Sequence, residues 1–160
     1  MNNNRFHTID DFNKPVFFEN KLKMLDNKRH TAYLLTGQSD LSGWNEEWKD
    51  KVFSKMKENK NTQYIFLTKR PENIKLKETP DNGWFGVTVT SSKEKTRIDY
   101  LRNNIKAKHY HITFEPMFDD VGKLDLSNIS WIVIGTETGN RKGKISSKRE
   151  WVFNLSLIHI

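Results

Sequence analysis

Two glutamates, a lysine–arginine pair and a set of hydroxyl and carboxylate residues stand directly behind apolar runs in this 160-residue chain. Gly37, Gln38, Ser39 and Asp40 follow the first run. Lys69, Arg70 and Pro71 follow the second. The third contains Thr88 and ends at Thr90, Ser91 and Ser92. Glu115 and Pro116 follow the fourth, and Thr136, Glu137, Thr138, Gly139 and Asn140 the fifth. Burying such groups costs several kcal/mol unless they are paired. A single polar strand end is an ordinary turn, but five in succession point to one polar rim.

Several chemistries fit these residue types. Glu115 and Glu137 could work as a carboxylate pair in general acid–base catalysis, as in glycoside hydrolysis. One of them could equally neutralise Lys69 or Arg70. Lys69 and Arg70 suit a phosphate or carboxylate clamp, or simple solvation. His109 and His111 alternate on one strand and share a face, but no third ligand accompanies them, so no metal site is expected. No GxGxxG, GKS/GKT or GxSxG element occurs. The chain has no cysteine. That excludes disulfides, thiolate zinc sites, cysteine nucleophiles and a cysteine-ligated iron–sulfur cluster built by this chain alone. No catalytic residue is assigned.

The elements that must carry these groups are legible as patterns. The runs 31–36 (TAYLLT), 64–68 (YIFLT), 84–89 (WFGVTV), 110–114 (YHITF) and 131–135 (WIVIG) are short and rich in aromatic and β-branched residues, as strands are. Their near-continuous apolarity predicts parallel strands covered on both faces. Trp44, Trp48, Val52, Phe53 and Met56 draw an apolar stripe along a helix over 44–58. A second helix is expected over 93–106, with Ile98, Leu101 and Ile105 inward and a capping box of Ser91 and Glu94. A third begins near Lys148 behind the Ser147–Glu150 pair, and 17–25 forms a short helix. The connections 71–83 and 117–130 are short for parallel crossovers.

The expected fold is therefore α/β: a partial (β/α) barrel-like parallel sheet of about five strands with flanking helices. The expected organisation is an N-terminal extension with a short helix (1–30), the (β/α) domain (31–155) and a tail that reads as non-native (156–160). The polar residues would then gather at the carboxyl ends of the strands, where such folds bind ligands. The tryptophans read as packing residues, none as a base-stacking platform. The charge of +7 and pI near 9.5 favour a nucleic-acid partner, or reflect lysines that solvate helices. No run approaches the roughly 20 apolar residues of a membrane span, and the N-terminus has no apolar signal core, so a cytoplasmic location is expected.

Five blocks in order also resemble a known family. They are QSDL (38–41) before a tryptophan-rich helix, FLTKRPE (66–72), WFGVTVTS (84–91), FEPMFD (114–119) and LDLSNISWIVIGTETG (124–139). Together they resemble the phage Gp37/Gp68-like (DUF5131) family, a branch of the radical-SAM proteins, over about residues 30 to 153. The resemblance implies S-adenosylmethionine and a 4Fe–4S cluster in a parent enzyme. Reductive cleavage there would yield a 5′-deoxyadenosyl radical that abstracts hydrogen from substrate. It implies Ser39 and Asp40 near the amino-acid end of S-adenosylmethionine, with Lys69, Thr88, Thr90, Glu115 and Glu137 lining the cavity. The departures are equally specific. The family's three-cysteine loop is missing, a Gly-Gly-Glu-Ser-Gly pattern has become 135–139 (GTETG), and Thr90 replaces a carboxylate. The expectation is a fragment inactive by itself, its cysteine-bearing segment lying upstream; the alternatives are a non-catalytic module binding nucleic acid or a phage partner, and the carboxylate-based barrel hydrolase.

Overall fold

Residues 16–26 and 31–156 are described by the computed structural model of this protein. Parts of the expected N-terminal extension (1–15 and 27–30) and of the tail (157–160) lie outside the described residues.

The five apolar runs form five strands: β1 (Ala32–Leu34), β2 (Gln63–Thr68), β3 (Gly83–Thr88), β4 (His109–Phe114) and β5 (Ile129–Ile134). They pair in chain order, β1-β2-β3-β4-β5, and every pair is parallel. That is the order of an opened (β/α) barrel, not of a doubly wound sheet. In β5 the extra residue Ser130 makes a bulge, because Tyr110 pairs with Ile129 and His111 with Trp131. Crossovers of one hand keep the helices on one face of such a sheet.

That face holds the core. Phe66 and Phe85 stack across β2 and β3 at 4.8 Å, and Phe53 meets both rings edge-on at 6.0 and 6.1 Å. Phe53 belongs to helix α1 (Glu46–Glu58). Asn45 caps its start by accepting from the Trp48 N–H at 2.9 Å. Glu46 and Glu47 occupy its first turn and Lys55 and Lys57 its last, matching the helix dipole. The helix thus begins two residues later than the apolar stripe predicts. Trp44 packs edge-on against Phe66 from outside the helix, and Trp48 stacks on Phe17. The stem of Lys49 fills the seam in place of Trp48, its ammonium reaching Glu46 at 2.7 Å.

Beyond β3 the expected single helix splits into a 3-10 turn (Ser92–Glu94) and α2 (Thr96–Asn104), which buries Ile98 and Leu101. The expected capping box shifts with it. Ser91 makes no cap bond, and Glu94 Oε2 instead accepts from the N–H and hydroxyl of Thr90 at 2.7 and 2.8 Å. Helix α3 (Arg149–Ser156) docks through Leu155. Ser147 does not start it as a cap. Its hydroxyl donates to the Met117 carbonyl at 3.0 Å. The short connections cross without α-helices: 71–83 contains a 3-10 turn (Pro71–Asn73) and a single parallel bridge from Leu76 to Ile105, and 117–130 is largely irregular, burying Val121 and Leu126. Near 17–25 lies a 3-10 helix, Glu19–Asp26.

Asn82 joins α1 to the sheet. Its buried amide nitrogen lies 3.0, 3.1 and 2.9 Å from the carbonyls of Met56, Asn59 and Thr62, two of them at the helix end. Besides Asn82, the Met56 and Asn59 carbonyls receive only the turn bonds from the Asn59 and Thr62 N–H groups, at 3.2 and 3.0 Å. Replacing Asn82 with Ala is expected to cost about 2 kcal/mol, since buried acceptors lose their donor. A lower urea midpoint at unchanged m-value measures it.

The other face of the sheet departs from expectation. β2 alternates half-buried and buried residues and β5 leaves several exposed, whereas β3 and β4 are buried on both faces over most of their length, as expected. Leu34 is 58% and Trp131 44% exposed. Register places Ile65, Trp84 and His109 in one row of this open face, with Leu67, Gly86, His111 and Trp131 in the next. Thr88, Thr113 and Val133 form the row nearest the carboxyl end. In a closed barrel such rows become interior layers.

Candidate functional site

The parallel order brings the polar groups behind the strands to one rim. Asp40 caps the 3-10 turn Leu41–Gly43. Its Oδ1 accepts from the Ser42 N–H at 2.9 Å and the Thr68 hydroxyl at 2.6 Å, and its Oδ2 from the Lys69 N–H at 3.0 Å. Burial pushes this carboxyl up, but the bonds from Thr68, Lys69 and Ser42 outweigh it and hold the pKa below the ordinary 3.8. Asp40 therefore staples the exit of β1 to the end of β2. Ser39 accepts from the Trp44 indole at 3.2 Å. The Lys69 and Arg70 side chains are exposed and have no bonded partner among the described residues.

Thr88 is buried at the end of β3, and its carbonyl accepts from Arg97 at 2.8 Å. Arg97 also pairs with Glu94 at 2.9 Å. Burial raises the Glu94 carboxyl, but its bonds from Thr90 and the nearby Arg97 prevail and lower it. Glu115 is exposed at the end of β4 and has no bonded partner among the described residues. Its carboxyl lies against Gly135, where an added Cβ would sit 2.7 Å from Cδ and Oε1. The glycine needed for close approach is thus Gly135; at the altered position of the GTETG block, the Thr136 hydroxyl instead accepts from the Ser147 N–H at 2.9 Å.

Glu137 is committed elsewhere. Arg141 grips it with two nitrogens, Nη2 at 2.7 Å, and the Ile145 N–H adds a bond at 3.0 Å. The Arg141 bonds come first in drawing its pKa down to about 2. At neutral pH it is an ionised brace of the loop behind β5 and has no proton to donate. That removes the general-acid role from this carboxylate. Sequence reasoning offered Lys69 or Arg70 as its partner and missed Arg141, although an i,i+4 spacing was the available signal. Of the candidate residues, Lys69, Arg70 and Glu115 thus keep charges without a bonded partner among the described residues.

On the open face His111 is 2% exposed. Its Nε2 lies 3.0 Å from the Phe66 carbonyl, which requires an N–H there, and its Nδ1 has no partner. His109 stacks on Trp84 at 4.5 Å. Among the described residues no group of three or more His, Cys, Asp or Glu is placed to hold a metal. Burial drives the His111 pKa below 6.5, against a smaller upward pull from the Phe66 carbonyl. The unfolded chain takes up a proton as pH falls through 6.5 and the folded chain resists it. Stability is therefore complete above that value and falls below it, at up to about 1.4 kcal/mol per pH unit. Urea unfolding at pH 7.5 and pH 5 should show this loss, and His111→Gln should flatten it.

No described helix is long and apolar enough to cross a membrane. No curated protein and no solved structure matches the chain significantly. A family model described as "Protein of unknown function (DUF5131)" matches residues 4–157, nearly the whole sequence. The five blocks that this match spans also form the strands and rim described above, and the chain belongs to the DUF5131 family.

Proposed function

We propose that the carboxyl-end rim is a small-molecule site and that the parent protein binds S-adenosylmethionine there, as a cytoplasmic radical-SAM-like enzyme of the phage Gp37/Gp68 type. The observation carrying this reading is that Lys69, Arg70 and Glu115 expose unpaired charges at one end of a sequentially ordered parallel sheet, while Asp40, Glu94 and Glu137 are engaged by their own chain. S-adenosylmethionine carries a carboxylate, an ammonium and a ribose diol. Lys69 and Arg70 suit the first. Glu115 suits either of the others. Asp40 acts by fixing the backbone at Lys69.

A 4Fe–4S cluster does not fit this chain, which has no cysteine to ligate it. In this reading its ligands come from a segment outside the sequence. The net charge of +7 supports a nucleic-acid substrate or partner.

Equilibrium dialysis of the chain against labelled S-adenosylmethionine tests the rim directly. Saturable binding is expected, weakened about tenfold by Lys69→Ala with Arg70→Ala and by Glu115→Gln, the scale of one charge-assisted hydrogen bond. Binding that is absent at millimolar ligand, or indifferent to all three substitutions, defeats this reading.

A further inference from the structure

The amino ends of the strands lie a strand length from the rim, roughly 17–20 Å. Two pockets adjoin there and share Ser130. One, of about 370 Å³, is lined by Gln63, Ile65, Trp84, Ser130 and Trp131. The other, of about 440 Å³, includes Lys108, Tyr110 and Asn128. Trp84 is a fixed wall: its indole donates to Gln63 at 2.8 Å, and His109 stacks on its face. Trp131 stands edge-to-face with it, ring centroids 6.4 Å apart at 85°, and keeps 44% of its surface exposed. β5 is the last strand of the sheet, so this ring stands at its edge.

The surrounding charge is one-sided. The three residues directly before each of β2 to β5 carry Lys60, Lys106 and Lys108 against Asp81; farther back lie Glu78, beside Lys75 and Lys77, and Asp125, which pairs with Arg102. Asp81 reaches Lys108 only at 3.7 Å, with both side chains mostly exposed, a weak contact that a phosphate can displace. A second copy of the chain would bring the same lysines against these. A polyanion complements them.

We propose that this edge is a single-stranded nucleic-acid site, with Trp131 stacking an unpaired base and Lys108 with its neighbouring lysines holding the phosphates. Aromatic platforms beside cations are how proteins hold single strands without reading sequence. A duplex hides the base faces that Trp131 would meet. This site needs neither the rim nor S-adenosylmethionine, and it rests on the nucleic-acid partner proposed above from the net charge.

The test is titration of the full chain with a fluorescent oligothymidylate at several salt concentrations. Binding should weaken with salt. Trp131→Ala should weaken it about tenfold. Lys108→Gln should make the log–log salt slope shallower by about 0.7. Asp81→Asn should tighten binding, which loss of a merely structural residue would not do. Lys142→Gln, an equal charge change in the loop behind β5, should leave the slope unchanged. Should Trp131→Ala fail to fold, Lys108→Gln and Asp81→Asn decide, both side chains being exposed. Absence of binding, equal binding of duplex, or wild-type behaviour in the Lys108 and Asp81 variants overturns the proposal. So does self-association that shields Trp131 from acrylamide without oligonucleotide.

Discussion

Gly86→Ala should destabilise the protein by about 3 kcal/mol, the upper part of the range for overpacking a full core. The His111 ring lies flat over Gly86, and a Cβ there would fall 2.3–2.4 Å from three of its ring atoms. The ring cannot simply retreat. It is buried, its Nε2 is tied to the Phe66 carbonyl across β3, and Trp131 sits 5.4 Å away. Relief therefore separates strands or breaks that bond, orphaning a second nitrogen beside the already unpartnered Nδ1. For a chain of this size the melting temperature should drop by roughly 6–12 °C. Combining Gly86→Ala with His111→Ala should recover part of the loss, because the clash disappears. A double-mutant cycle in urea checks the coupling, and additive costs would show that Gly86 acts through something other than the imidazole.

Asp40→Ala should cost a comparable amount, about 3 kcal/mol, because three donors lose one charged acceptor. The Thr68 hydroxyl and the Lys69 and Ser42 N–H groups all converge on this carboxylate. Asp40→Asn should cost less, since one oxygen can still accept. The pH dependence has a definite sign. The folded pKa lies below 3.8, so the contribution is complete above that value and is lost as pH falls through the folded pKa. The gap between wild type and Asp40→Ala should be full at pH 7 and narrow below pH 3.8. A constant gap down to pH 2 would mean that the carboxylate charge is not what holds β1 to β2. Because the Lys69 N–H is one of these donors, Asp40→Ala should also weaken any ligand that uses Lys69.

Much of this was written locally. Alternating or continuous runs of aromatic and β-branched residues specify strands because such side chains fit a pleated surface. All five runs became strands within a residue or two, and the polar ends fell at one rim because parallel strands all point the same way. Helix positions were legible too, and the last helix starts within a residue of the expected Lys148, but the starts of the first two were not. Trp44 and Trp48 continue the apolar period, while the Asn45 side chain decides where the helix begins. Glu94 reached Thr90 rather than Ser91 because a 3-10 turn intervened.

What the chain's own letters determined is the number of strands, their order of chemistry and the absence of any thiolate ligand. Only the tertiary structure decided which charges are spent and which are free. Glu137 and Glu115 look equivalent in one dimension, yet Arg141 immobilises the first and Gly135 merely makes room for the second. The structure also decided that one sheet face stays open, exposing Trp131, which the residue pattern assigns to packing. The physical reason is common to both. Hydrophobic period and strand propensity act between near neighbours, whereas pairing of charges and covering of a face depend on contacts between distant segments.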